Sequence, residues 1–427
     1  MGLAGHLRAR ASGLRTSGAQ LLVISPPRRK RGGGAGFYEP ALEPGQLAAL
    51  EPGAVVRSEP MDAYLAPGVR LRARAIRLLY RSTGALGEPT AVSGLLLLPA
   101  GAGRRGVTPL VGYAPGTHGL GDQAAPSRLL AHGLDWEAGL IAAVLARGYA
   151  VALSDYQGLG TPGDHVYMVG RALGMNVLDV MRAARELQPG VIGPGSPAGI
   201  LGYSEGGVAA AWAAQLQRAY APELVLAGVA AGAAAADLEL AGPGLDGSFF
   251  SFFLAYGAIG YAAAYPELDL DGSLSDRAQA RVRLLRESNV FQAAWYGPRF
   301  ARAGALTEPN VLELPQWRAR LAENRLGATA PCAPVLLHHA RHDQIVAFSQ
   351  SERLFQEWRA AGAEVTLSAT RGGFDHISGA LAGAPGALRW LARRLAGSSG
   401  PAGAGRPPSP GRGAGLRGAV TCAGDLA

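Results

Sequence analysis

Short apolar runs recur along the first half of the chain, and between them lie longer stretches whose apolar positions return at helical spacing. Residues 71–80 and 90–98 read as an opening pair of strands, and residues 109–113 as a central one. A helix over 136–147 leads to a strand over 149–154, a helix over 172–187 to a strand over 198–203, and a helix over 207–218 to a strand over 224–230. Such alternation predicts an α/β fold with a mostly parallel, doubly wound sheet and helices on both faces. Strands over 333–338 and 363–369 and a closing helix near 386–395 resume the pattern.

From about 232 to 328 the alternation stops. This stretch holds the aromatic run Phe249-Phe250-Ser251-Phe252-Phe253 and charged helical segments near 275–287 and 315–325. Long insertions in such sheets gather at the carboxyl ends of the strands, where ligands bind, so residues 232–328 are expected to form a mainly helical cap over a core made of 37–231 and 329–396. Residues 1–36 are expected to be a disordered basic extension and the Pro/Gly-rich residues 397–427 a disordered tail.

Composition refines this outline. A chain of 427 residues, 48% hydrophobic, can bury a large core. Its net charge of +8 invites a nucleic-acid reading, but the excess sits at the ends: residues 1–31 carry seven basic residues and no acid, and residues 397–427 carry Arg406, Arg412 and Arg417 against Asp425. The body is left near −1, with no basic stripe for nucleic acid. The apolar patch Ala19–Ile24 is too short for a signal-peptide core and far too short for a membrane span. Cys332 and Cys422 do not form a disulfide framework.

The strongest chemical signal is Gly202-Tyr203-Ser204-Glu205-Gly206-Gly207, a Gly-X-Ser-X-Gly motif placed after the strand over 198–203 and before the helix over 207–218. A nucleophilic serine must stand on a sharp strand-to-helix turn, and the flanking glycines let strand and helix approach. In a chain with 62 glycines the bland alternative is a glycine-rich turn with a serine N-cap. A nucleophilic serine needs a base and the base needs a carboxylate, in the chain order Ser, acid, His. His6, His118, His132 and His165 precede Ser204; His338 and His339 lie on a strand; His342 adjoins the best acid. His376, between a strand and a helix, is the expected base, and Asp343, just past the strand over 333–338, the expected acid, with Asp375 its competitor. The Glu205 amide and the backbone at Gly116 and Thr117 are the expected oxyanion donors, with a plain Pro-Gly turn the alternative for the latter pair.

Three segments in register, Ala114-Pro115-Gly116-Thr117-His118-Gly119-Leu120-Gly121-Asp122-Gln123, Ser154-Asp155-Tyr156-Gln157-Gly158-Leu159-Gly160-Thr161-Pro162-Gly163 and the serine motif, resemble the secretory lipase family across roughly Phe37 to Ala396. The resemblance implies an α/β-hydrolase core with a helical cap, hydrolysis of acylglycerols or other carboxylic esters by Ser204, Asp343 and His376, transient contact with a lipid interface, and secretion. No metal or organic cofactor is expected. Acyl transfer to an alcohol by the same residues, and a non-catalytic binding protein on the same fold, are the alternatives.

Overall fold

The computed structural model describes residues 36–398, apart from 41, 105, 306 and 308; the expectations for the two ends fall almost wholly outside these residues. Eleven strands are β1 (Val55–Met61), β2 (Tyr64–Ala66), β3 (Val69–Arg70), β4 (Ala73–Thr83), β5 (Pro89–Pro99), β6 (Leu110–Ala114), β7 (Ala150–Ser154), β8 (Ala198–Tyr203), β9 (Leu226–Gly232), β10 (Val335–His339) and β11 (Val365–Ala369). Nine of them form one sheet in the order β1-β4-β5-β7-β6-β8-β9-β10-β11, while β2 and β3 make a small ribbon. The β7-β6-β8-β9-β10-β11 block is parallel, and β5, β4 and β1 add an antiparallel edge.

Every residue of β6, β7 and β10 is buried, as helices on both faces demand. The helices Gly170–Leu187 and Glu205–Tyr220 pack together on one face, where Val177, Met181 and Val208 join the larger core. Helices Ala138–Leu145 and His376–Gly397 cover the other, through Ile141, Val144, Leu388 and Leu391. Strand order reverses around β6, which lies between β7 and β8, and in such sheets ligands bind beyond the carboxyl ends of the strands at the switch point.

Between β9 and β10 the chain is helical: Leu238–Leu245, Phe252–Ala264, Asp276–Arg286, Val290–Tyr296 and Pro315–Glu323. This segment is stitched to the loop after β6, because Leu120 and Gly121 N–H both donate to Ser288 O (2.9 and 3.0 Å) and Val290 N–H donates to His118 O (2.9 Å).

Two sequence expectations needed correction. Strand β1 was not foreseen; it is a half-buried edge strand carrying Glu59 and Pro60, and so lacks an apolar run. The closing helix starts at His376 rather than near 386. Pro385 sits inside it, and proline reads as a first-turn residue, while Gly379 and Gly383 mask the earlier turns.

Candidate active site

Strand β8 ends at Tyr203, and the next residue, Ser204, has φ 60° and ψ −119°. A non-glycine residue in that region is strained by about 1–3 kcal/mol, and the surroundings must hold it there. Its N–H donates to Gly232 O at the end of β9 (2.9 Å), and backbone packing does the rest. A Cβ on Gly206 would lie 2.0 Å from Ala114 O of β6, and one on Gly207 2.0 Å from Gly232 O. The helix Glu205–Tyr220 therefore starts with its backbone against two strands, and only glycine at 206 and 207 permits that approach.

The loop after β10 brings Asp343 to the same edge. Its Oδ1 accepts the N–H groups of Ile345 and Val346 (2.9 and 2.8 Å), and its Oδ2 faces His376 Nδ1 at 2.6 Å and His339 Nε2 at 3.2 Å. Burial alone would raise this carboxyl, but the hydrogen bonds from His339 and His376 outweigh it and hold Asp343 well below the usual carboxylate range. His376 is the first residue of its helix; its N–H donates to Gln344 Oε1 (3.0 Å) and its carbonyl accepts from Tyr203 Oη (2.8 Å). Because Asp343 can only accept, Nδ1 of His376 carries a proton and Nε2 presents a lone pair. Ser204 Oγ stands 2.9 Å from that Nε2.

The structure thus places Ser204, His376 and Asp343 in one hydrogen-bonded line. Asp375, the competing acid, points elsewhere: its Oδ1 caps the helix by accepting Ser378 N–H (2.7 Å). His342 is exposed.

The proposed oxyanion donors divide. Glu205 is the first residue of the helix, so its N–H has no partner within that helix. Gly116 needs correction: its N–H is already committed to Glu137 Oε2 (3.1 Å), a residue 21 positions away in sequence. Thr117 adjoins it, with its side-chain hydroxyl held by Tyr167 Oη (3.0 Å).

Two buried histidines set aside as bases in the sequence, His339 on its strand and His165 ahead of Ser204, support the site through partners the sequence does not reveal. His339 bonds Ser351 Oγ through Nδ1 (2.8 Å), and its Nε2 lies between Asp343 and Val346 O (2.9 Å), so it braces the acid from below. His165 Nε2 bonds Glu205 Oε1 at 2.7 Å beneath the serine turn. A histidine on an apolar strand or in a loop gives no sequence signal of such a partner.

Above Ser204 lies a largely apolar cavity of about 470 Å³, lined by Leu238, Leu254, Leu312, Trp317, Ile345 and other side chains chiefly from the helical segment. Among the described residues no helix is long and apolar enough to cross a membrane.

A mostly parallel sheet with helices on both faces, and a strained serine at a strand-to-helix turn, define an α/β-hydrolase fold. Solved structures agree: Candida antarctica lipase A in its closed state superposes with a TM-score of 0.75 at 22% identity, covering 86% of each chain. The chain belongs to the secretory lipase family, whose model matches residues 124–403. Its relatives include a probable inactive lipase of Mycobacterium tuberculosis, 29% identical over 84% of this chain and 82% of that protein, and Lipase 10 of Candida albicans, 28% identical over 89% and 83%.

Proposed function

We propose that the protein is a serine carboxylic-ester hydrolase acting on acylglycerols or related lipid esters. The observation that carries this reading is the line from Ser204 Oγ through His376 to Asp343, with contacts of 2.9 and 2.6 Å, opening onto the apolar cavity. His376 Nε2 takes the Ser204 proton as Oγ attacks the ester carbonyl carbon, and Asp343 stabilises the imidazolium. The amide N–H groups of Glu205 and Thr117 receive the oxyanion. His376 then hands the proton to the departing alcohol, and water, activated by the same imidazole, releases the acyl group from Ser204.

Residues 232–328 serve as the cap in this reading, their apolar side chains receiving the acyl chain. Exposed Phe291, Trp295 and Phe300 on the helical segment, with Phe374, Ile377 and Leu381 beside His376, support brief contact with a lipid interface.

The name of the mycobacterial relative keeps the non-catalytic alternative in play, and one experiment separates the two. Hydrolysis of short and long p-nitrophenyl esters by wild type and Ser204→Ala is expected to show turnover in wild type and a loss of ~10⁶-fold in kcat in the variant. Absence of wild-type turnover, or full retention by Ser204→Ala, overturns the enzyme reading. Product formed with added alcohol in place of water would show acyl transfer.

A further inference from the structure

Beside the serine turn, three side chains outside the proposed catalytic line converge: His118 from the loop after β6, and Asp135 and Glu137 from the approach to helix Ala138–Leu145. One potential ligand atom from each lies within 4.8 Å of the other two. His118 and Asp135 are buried, at 1% and 5% exposure.

Each side chain has one polar atom held by backbone. His118 Nδ1 donates to Gly116 O (2.7 Å), Asp135 Oδ1 accepts Glu137 N–H (2.8 Å) and Glu137 Oε2 accepts Gly116 N–H (3.1 Å). With Nδ1 held by Gly116 O, His118 turns Nε2 towards Asp135 Oδ2, 3.3 Å away; burial opposes a charge on the ring, but Asp135 and Glu137 outweigh it and raise its pKa to about 9. Neither His118 Nε2 nor Asp135 Oδ2 has a hydrogen-bond partner. Buried together, these two atoms need a positive charge between them, either a proton on Nε2 or a metal ion that displaces it. Ligand atoms ~2.0–2.1 Å from a tetrahedral Zn²⁺ stand ~3.3–3.4 Å apart, which matches the His118–Asp135 pair, and the Glu137 atom lies within 4.8 Å of both. Among the described residues no Arg or Lys forms an ion pair with Asp135 or Glu137, so two carboxylates share one imidazole.

We propose that His118, Asp135 and Glu137 bind a divalent transition-metal ion. One nitrogen and two carboxylates suit Zn²⁺ or a similar ion better than Ca²⁺, which prefers oxygen ligands alone. Gly116 supplies the outer support that orients metal ligands, giving its C=O to one and its N–H to another. The ion takes no part in ester chemistry. It clamps the 115–119 loop against the serine turn, where a Cβ on Gly116 would lie 3.3 Å from Tyr203 O.

The site carries its own reporter, because Trp136 stacks on the His118 ring with centroids 3.8 Å apart. Chelator-stripped full-length protein is titrated with Zn²⁺, and with Ca²⁺ in parallel, by calorimetry and tryptophan fluorescence. The expected result is one tight Zn²⁺ per chain with a fluorescence change, weak or no Ca²⁺ binding, and at least ~100-fold lower Zn²⁺ affinity in Asp135→Asn and His118→Gln. Trp136→Phe, at a part-exposed position, is expected to keep the calorimetric binding and lose the fluorescence change. Should either ligand variant unfold, a rise in wild-type melting temperature with Zn²⁺ and the Trp136→Phe result still decide. No stoichiometric Zn²⁺ binding, binding unchanged in folded ligand variants, or a fluorescence change that survives Trp136→Phe overturns the site.

Discussion

The two halves of the site are built by different means. On the sheet side, backbone touches backbone: β6, β8, β9 and the helix Glu205–Tyr220 meet at Gly202, Gly206 and Gly207, and added Cβ atoms there would sit 2.0–2.1 Å from carbonyl oxygens. On the helical side, side chains line a cavity and some positions have space, as at Gly257, where an added Cβ meets nothing within 4 Å. Reacting atoms need placement within tenths of an ångström, which rigid backbone contact supplies, whereas an acyl chain needs volume and tolerates variation. Substitutions on the sheet side should therefore act as all-or-none changes, and those on the helical side as graded ones.

Among variants that keep Ser204, the largest effect should come from Asp343→Asn. The amide would donate to, rather than accept from, His376 Nδ1, turning the ring to the wrong tautomer, and kcat is expected to fall ~10⁴-fold. Steady-state kinetics with a soluble ester measure it, alongside circular dichroism; a fall under tenfold in a folded variant would remove Asp343 from the line. Next comes Gly206→Ala. Its methyl would collide with Ala114 O, and neither partner is a side chain that can rotate away. A loss of about 3 kcal/mol or more of unfolding free energy is expected from urea denaturation, and a variant of wild-type stability would show that the turn has slack.

The sheet side also holds a pH-dependent element. His338 is buried with neither ring nitrogen hydrogen-bonded, and burial, helped by repulsion from His339, lowers its pKa from the ordinary 6.5 to about 4. The folded state therefore favours neutral His338, its stabilising share is complete above pH 6.5, and it is lost as pH falls towards 4. A shift of this size corresponds to about 3 kcal/mol. Urea denaturation at stepped pH should show that loss in wild type and a flatter profile in His338→Leu. Asp343 acts with the same sign in a lower window, below its ordinary 3.8, so the two contributions separate along the pH axis. An unchanged slope in His338→Leu would assign the acid loss to other groups.

The same contrast explains what the sequence made legible. Strands buried on both faces are largely apolar, so β6, β7, β8 and β10 stand out, even with His338 and His339 closing the last, and Ser204, Asp343 and His376 are picked out by the chain order that the proposed chemistry requires. The edge strand β1 does not stand out, because only one face is covered. Contacts between distant segments were hidden as well. Nothing in Glu137 indicates that it holds Gly116 N–H, and nothing in His339 indicates that it supports Asp343. Such pairs exist only once loops from separate strands meet, and the misassignment of Gly116 as an oxyanion donor arose from that gap.

The smallest expected effect sharpens the contrast inside a single helix. Gly257 and Gly260 lie in Phe252–Ala264, yet Gly257 lines the cavity while a Cβ on Gly260 would lie 2.4 Å from the backbone of Tyr167. Gly257→Leu places a branched side chain in the cavity and replaces a poor helix former, so stability should hold or rise by up to ~1 kcal/mol. Long-chain esters lose room there while short ones do not, and the ratio of kcat/KM for long over short p-nitrophenyl esters should fall by ~10–100-fold. Gly260→Ala should instead destabilise the protein through its backbone clash while leaving that ratio nearly unchanged. If Gly257→Leu lowers activity on short and long esters equally, the helical segment shapes catalysis rather than chain-length preference, and the division between a rigid backbone half and an adjustable side-chain half would have to be given up.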